Sequence, residues 1–228
     1  MKAFLLAGGL GTRLRPLTDH IPKCLVPVHN RPLIDYWFDL FDKYGVDEVL
    51  INLHHLPDQV RLLFGHHRWR DRVRLFFEPT LLGSAGTVRD NRDFVGDADF
   101  LVCYADNLTD ANLGLIWQRH LKGDAVLTMG LFHTPFPKEC GIATLDEEGR
   151  IVHFVEKPKN PESDLANAGI YAVSPAIFDV IPDATPVDFG FDVIPKLTGR
   201  MAGVEVGGFL MDVGTPDRYE AVQRLWPH

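Results

Sequence analysis

Cysteine is scarce in this chain, and the few present are badly placed for metal or redox work. Cys24, Cys103 and Cys140 are odd in number and form no C-x-x-C pair. That usage suits a reducing cytoplasm and argues against a structural zinc site. Positive charge is also short: 23 lysines and arginines stand against 31 aspartates and glutamates, a formal net charge of −8. An acidic chain of this kind is a poor partner for nucleic acid or an anionic membrane. No apolar run reaches the length of a membrane span, and Met1-Lys2-Ala3-Phe4 passes straight into a strand rather than a secretory signal. Internal repeats are missing too. So is the G-x-x-x-x-G-K-[ST] phosphate loop, and Leu14 stands where the dinucleotide fingerprint needs its third glycine. The last absence argues against a nicotinamide-dependent oxidoreductase, which would need that glycine.

What is present is concentrated in the first thirty residues. The apolar stretch Ala3 to Ala7 reads as a buried strand running directly into Gly8-Gly9-Leu10-Gly11-Thr12-Arg13. Glycines after a strand let the chain turn tightly and let backbone N–H groups approach a ligand. Arg13, Arg15 and Lys23 follow on what reads as one loop, a cation set fit for a polyphosphate.

The remainder alternates strand and helix. Leu33, Ile34, Trp37, Phe38 and Phe41 make an apolar helix face ending at Gly45, a C′ glycine. Strands are expected at 49–53, 72–77, 100–105 and 125–131, with helices from Pro57, from about Thr87, and over Leu113 to Leu121. Such a pattern implies a parallel sheet covered on both faces, with ligands bound past the carboxyl ends of its strands. The glycine loop, Glu78 to Gly86 and Asp106 all fall at such ends. His54-His55 and His66-His67 match no metal spacing and read as loop and helix-surface residues. Beyond residue 131 the texture changes. Gly141 to Leu145 and Ile151 to Glu156 form a hairpin, Asn167 to Val173 a strand, Pro175 to Ile181 a helix, and Val204 to Met211 the last strand. Thr215-Pro216 caps and opens the closing helix.

Two motifs in order give the chain a family resemblance. Gly8-Gly9-Leu10-Gly11-Thr12-Arg13-Leu14-Arg15-Pro16-Leu17-Thr18, then Pro22-Lys23-Cys24-Leu25-Val26-Pro27-Val28, resembles the signature of the sugar-1-phosphate nucleotidyltransferases. Glu156-Lys157-Pro158 and Asp212-Val213-Gly214-Thr215-Pro216 match further elements of that family, so the resemblance covers essentially the whole chain. It implies an α/β fold: a Rossmann-like, mostly parallel sheet with helices on both faces and a smaller mixed β lobe for the sugar. It also implies one domain over 1–228, with 1–131 as the nucleotide-binding half and 132–228 as the sugar lobe carrying the second metal ligand. No hexapeptide repeat follows, so the C-terminal β-helix of many relatives is not expected.

By resemblance, Leu6, Ala7, Gly8, Gly9, Gly11 and Thr12 line the nucleotide. Arg13 stabilises the departing phosphates, Lys23 sits by the α-phosphate, and Lys157 holds the sugar phosphate. Asp106 and Asp212 are expected to hold Mg²⁺, and Gly141, Glu156 and Asn167 to contact the sugar. Taken alone, Asp106-Asn107 reads as a turn and Asp212 as a local cap; beside these cations the metal reading prevails. The partners implied are a nucleoside triphosphate and a sugar 1-phosphate, acting on a cytoplasmic monomer or homodimer.

Glu78-Pro79-Thr80-Leu81-Leu82-Gly83-Ser84-Ala85-Gly86 resembles the E-x-x-L-G-T-A-G loop of mannose- and heptose-1-phosphate guanylyltransferases, with Ser84 for threonine. A carboxylate accepts only, and guanine offers N1–H and N2–H₂ side by side. Glu78, Gly83 and Ser84 are therefore expected at the base, with Glu78 favouring GTP if it points inward and irrelevant if it faces solvent. A thymidylyl- or uridylyltransferase on glucose 1-phosphate, and a non-catalytic nucleotide-sugar-binding regulatory paralogue, are the alternatives.

Overall fold

The structure, a computed structural model, describes residues 1–227. Strand β1 (Lys2–Leu6) leads through the glycine loop to a small ribbon of β2 (Pro27–Val28) and β3 (Arg31–Pro32), then helix α1 (Leu33–Tyr44). There follow β4 (Glu48–Leu53), α2 (Pro57–His66), β5 (Val73–Phe77), α3 (Ser84–Asp90), β6 (Phe100–Tyr104), β7 (Asn107–Thr109) and α4 (Leu113–Leu121). The rest comprises β8 (Leu127–His133), β9 (Gly141–Leu145), β10 (Ile151–Glu156), β11 (Leu165–Val173), β12 (Met201–Glu205), β13 (Leu210–Asp212) and α5 (Pro216–Leu225). The chain divides into two compact units. One is Met1–Leu81, Cys103–Ala111 and Gly208–His228; the other is Leu82–Val102 and Asn112–Gly207. The division expected near residue 131 falls inside the second unit.

In the first unit β1, β4 and β5 pair in parallel, Phe4 opposite Leu50 and Leu50 opposite Arg74. Buried on both sides, β1 and β4 read as near-continuous apolar runs, as parallel strands do. The expected apolar face of α1 is the buried one: Leu33, Ile34, Trp37, Phe38 and Phe41 are at most 1% exposed. Gly45 adopts the left-handed conformation (φ 71°) that ends the helix. Burying each such large side chain contributes roughly 1.5–3 kcal/mol. His67 departs from the surface role expected of it. Its side chain packs between Phe38 and Phe64, 3.5 Å from Asp35, and burial pushes its pKa down.

A second cluster in this unit joins Leu14, Val26, Val28, Leu33, Leu108, Val213 and Val222. It holds the antiparallel ribbon of β7 and β13, in which Asp212 lies opposite Asn107. This ribbon corrects the single last strand expected over Val204 to Met211. The run breaks at Gly207 and Gly208, both left-handed (φ 60° and 77°), where the chain passes from one unit to the other. A side chain on Gly208 would be strained by the left-handed backbone and would displace the Asp110 carboxylate, whose Oδ1 lies 2.2 Å from where a Cβ would stand.

The second unit carries the expected hairpin, β9 with β10, in the expected bounds. Antiparallel β11 pairs β8 and touches β9, while β12 runs parallel to β8. Helix α4, capped by the Asn112 side chain on the Leu115 N–H, packs on β8, β11 and β12. Pro175 to Ile181 forms only a short 3₁₀ turn over Pro175–Asp179. Among the described residues no helix is long and apolar enough to cross a membrane. Among the described residues no cysteine forms a disulfide. Burial raises the thiol pKa of Cys24 to about 12 and that of Cys103 further still, which leaves both unreactive.

Candidate active site

The glycine loop is fastened from behind and open in front. Ala7 N–H donates to Asn52 Oδ1 at 2.7 Å, and a Cβ on Gly8 would lie 2.6 Å from Asn52 Nδ2. Gly11 turns left-handed (φ 64°); its carbonyl accepts from Thr18 Oγ1 at 2.7 Å, and its missing Cβ leaves room for the buried Thr18 side chain. Leu6 is buried, whereas Gly9, Thr12 and Arg13 are exposed. A loop so anchored presents backbone N–H groups without needing to reorganise, which is what an anion site requires.

Beside it lies a cluster of charges far apart in sequence. Lys23 Nζ donates to Asp106 Oδ2 at 2.6 Å and to Asp212 Oδ1 at 3.0 Å. The β7–β13 ribbon brings the two carboxylates together, reinforced by Val213 N–H donating to the Asp106 carbonyl at 2.8 Å. Arg218, on the first turn of α5, donates to Asp212 Oδ2 at 2.9 Å, and Arg13 Nη2 stands 3.8 Å from the same oxygen. Burial works against the Lys23 ammonium, but the two carboxylates outweigh it and hold its pKa above the ordinary lysine value. Lys23, expected by the α-phosphate, is thus engaged by the two residues expected to hold Mg²⁺. Two carboxylate oxygens converging on one cationic centre are a donor set that fits a hard divalent ion. No group of three or more histidines, cysteines and carboxylates fit for a metal occurs among the described residues; water and phosphate oxygens would have to complete the coordination shell.

Glu78 does not face solvent. It is 1% exposed, and its Oε1 accepts from Asn52 Nδ2 at 3.0 Å. One amide therefore links the glycine-loop backbone to this carboxylate. His54 Nδ1–H donates to the Glu78 carbonyl and His55 Nε2–H to the Thr18 carbonyl, each at 2.8 Å. Both histidines accordingly fasten loops.

In the second unit the loop at Gly83 and Ser84 is tied to a segment that no motif had marked. A Cβ on Gly83 (φ 80°) would lie 2.3 Å from the Val187 carbonyl oxygen. The Ser84 hydroxyl donates to Asp188 Oδ2 and accepts from Phe189 N–H, both at 2.8 Å. Asp188 caps the π-helical turn Phe189–Val193, Oδ1 accepting from Gly190 N–H at 2.8 Å. The Glu156 carboxylate is walled by backbone: Cβ atoms on Gly141 and Gly190 would stand 2.5 and 2.8 Å from its Oε2. Burial raises its pKa, Lys157 opposes that rise, and Asp188 adds to it. Lys157 itself is exposed, with φ 49° and Nζ 5.8 Å from the centroid of the Phe191 ring. Asn167 donates to the Tyr171 hydroxyl at 2.7 Å and accepts from Gly169 N–H at 2.9 Å.

Comparison with known proteins gives the family and the fold. The chain is 31% identical to a UTP–glucose-1-phosphate uridylyltransferase of Synechocystis over 98% of its length, and covers 63% of that relative. It thus spans about three fifths of the length of that longer relative. It is 26% identical to a D-glycero-alpha-D-manno-heptose 1-phosphate guanylyltransferase of Aneurinibacillus thermoaerophilus, covering 100% of this chain and 99% of that one. In fold it superposes on HddC from Yersinia pseudotuberculosis, complexed with GMP-PN, with a TM-score of 0.83, 22% identity and 99% of each chain covered. The family model described as nucleotidyl transferase matches residues 2–226. The chain belongs to the nucleotidyl transferase family.

Proposed function

We propose that this protein is a sugar-1-phosphate guanylyltransferase, condensing GTP with mannose 1-phosphate or a heptose 1-phosphate and releasing pyrophosphate. A phosphate oxygen of the sugar phosphate attacks the α-phosphorus of GTP in line. One P–O bond forms, the bond to the bridging oxygen of pyrophosphate breaks, and pyrophosphate carries away the electron pair. The nucleophile is already ionised at neutral pH, so no general base is needed. What remains is positioning and charge stabilisation.

The glycine loop and Arg13 would take the triphosphate, and Lys23 would turn its ammonium to the phosphates as they arrive. Asp106 and Asp212 would hold Mg²⁺, which when bound neutralises the charge that builds on the phosphates. In the second unit Glu156, half-buried and walled by glycine backbone, would accept from sugar hydroxyls beside Gly141 and Asn167. Lys157 would hold the sugar phosphate.

The base choice rests on the Glu78 carboxylate, buried and bonded to the Asn52 amide that also holds the glycine loop. An oriented acceptor suits the paired donors of guanine and leaves a thymine or uracil carbonyl facing negative charge. The full-length match to the heptose 1-phosphate guanylyltransferase supports the same choice. Against it, the uridylyltransferase is the more identical relative. Competition between equal GTP and dTTP tests the reading. Wild type should consume GTP in at least about hundredfold preference, and Glu78→Gln should narrow the ratio. An unchanged ratio in Glu78→Gln would clear that side chain of a role.

A further inference from the structure

Asp212 is held by more than the site needs for charge balance. Lys23 takes Oδ1 at 3.0 Å, while Oδ2 faces two arginines of different character. Arg13 is 65% exposed and 3.8 Å away; Arg218 is 20% exposed and donates at 2.9 Å. The first is free to follow a ligand. The second is built in. Its backbone N–H donates to Thr215 Oγ1 at 3.4 Å, closing the first turn of α5. That helix is pinned in turn by Tyr219 and Gln223, both donating at 2.8 Å to the Pro27 carbonyl. The Asp212 carboxylate also packs against Gly214, where a Cβ would stand 2.5 Å from Oδ2 and 2.8 Å from Oδ1.

We propose that Arg218 is a positioning residue. It locks Asp212 Oδ2, so that Oδ1 is the oxygen turned toward Asp106, and thereby sets the cation affinity of the pair. This rests on reading Asp106 and Asp212 as the holders of a divalent cation. A carboxylate free to rotate offers either oxygen in many directions; one fixed by a rigid, permanently charged guanidinium offers one. The position of Gly214 serves the same end, since any side chain there would push the carboxylate aside.

Charge and position make opposite predictions for Arg218→Ala. Removing a nearby cation should tighten metal binding if Arg218 acts only through its charge. Removing a clamp should loosen it. Mn²⁺ alone, titrated by electron paramagnetic resonance with no nucleotide present, reads the sign directly. We expect the dissociation constant to rise about tenfold in Arg218→Ala and similarly in Gly214→Ala, whose new methyl would meet the same carboxylate. Asp106→Asn should weaken it at least as much. Binding of GTP without metal should stay within about threefold in Arg218→Ala, which a general loosening of α5 would not allow. Unchanged or tighter Mn²⁺ binding in Arg218→Ala overturns the proposal. Should that variant fail to fold, unchanged binding in Gly214→Ala overturns it equally, and so does a wild type that binds no Mn²⁺ at millimolar concentration. If Mn²⁺ behaves as expected but no sugar phosphate elicits pyrophosphate from GTP, the guanylyltransferase reading fails and the role of Arg218 stands.

Discussion

The two units treat their carboxylates in opposite ways. In the first, Asp106 and Asp212 are met by Lys23, Arg218 and Arg13, three cations for two anions. In the second, Glu156 has Lys157 as its opposing charge, lies close enough to Asp188 to be disfavoured by it, and is enclosed by glycine backbone. A cluster rich in cations suits a polyphosphate and the metal that accompanies it. A partly desolvated acceptor, walled so that no methyl intrudes, suits uncharged hydroxyl donors. The contrast fits the proposal that the first unit meets the triphosphate and its metal while Glu156 of the second meets sugar hydroxyls. Six substitutions put it under strain.

The largest effect belongs to the first unit. If Asp106 and Asp212 hold the metal as proposed, Asp106→Asn and Asp212→Asn should each lower turnover at least about hundredfold, because a charged ligand to it would be lost. Each leaves Lys23, buried to 9% exposure, with one carboxylate partner, so thermal melts should show a loss of stability alongside. Turnover within a few-fold of wild type in both variants would break the assignment of this cluster to the phosphates.

Gly190→Ala should act on the other unit alone. The new methyl would meet flexible carboxylate ends, Glu156 Oε2 at 2.8 Å and Asp188 Oδ1 at 3.2 Å, so the fold survives while Glu156 is displaced. KM for the sugar phosphate should rise about tenfold, the loss of roughly one good hydrogen bond to a charged acceptor, with triphosphate affinity unchanged by calorimetry. Impaired triphosphate binding would erase the distinction between the units.

The cations sharpen it further. Lys157→Ala should raise KM for the sugar phosphate several-fold and Arg13→Ala should chiefly weaken the triphosphate. Titrations giving the reverse pattern would exchange the two roles. The smallest effect is on stability. Because burial raises the Glu156 pKa above its ordinary 4.5, the folded state binds its proton more tightly than the unfolded one. The ionised group therefore destabilises the fold at neutral pH, and the penalty fades as pH falls through the folded pKa toward 4.5. Glu156→Gln should melt a little above wild type at pH 7 and level with it below pH 4.5. A lower melting temperature at pH 7 would mean that the carboxylate is better compensated than its surroundings imply.

The sequence was most readable where pattern is strong. The glycine loop, the α1 face ending at Gly45, the β9–β10 hairpin and the Thr215 cap all carry periodicity or turn chemistry, and each lies close to where that chemistry placed it. The β7–β13 ribbon was not readable, because three-residue strands carry no period and the Gly207-Gly208 break looks from sequence like strand interior. Yet that ribbon is what joins Asp106 to Asp212. Asn52, Asp188 and Arg218 were missed for a related reason: a single polar residue acquires its role only through a partner 26, 104 or 6 positions away. For Arg218 a cue was there to find, since a cation on the first turn after Thr215-Pro216 lies within reach of the Asp212 strand end.

The activity proposed for this protein is sugar 1-phosphate-dependent guanylyl transfer. The most direct test is pyrophosphate released by the wild type with Mg²⁺, each of GTP, dTTP and UTP, and mannose 1-phosphate, a heptose 1-phosphate or glucose 1-phosphate. Release from GTP that depends on mannose or heptose 1-phosphate, and exceeds release from dTTP or UTP by at least about a hundredfold, is the predicted result. Preferential release from dTTP or UTP with glucose 1-phosphate would contradict it.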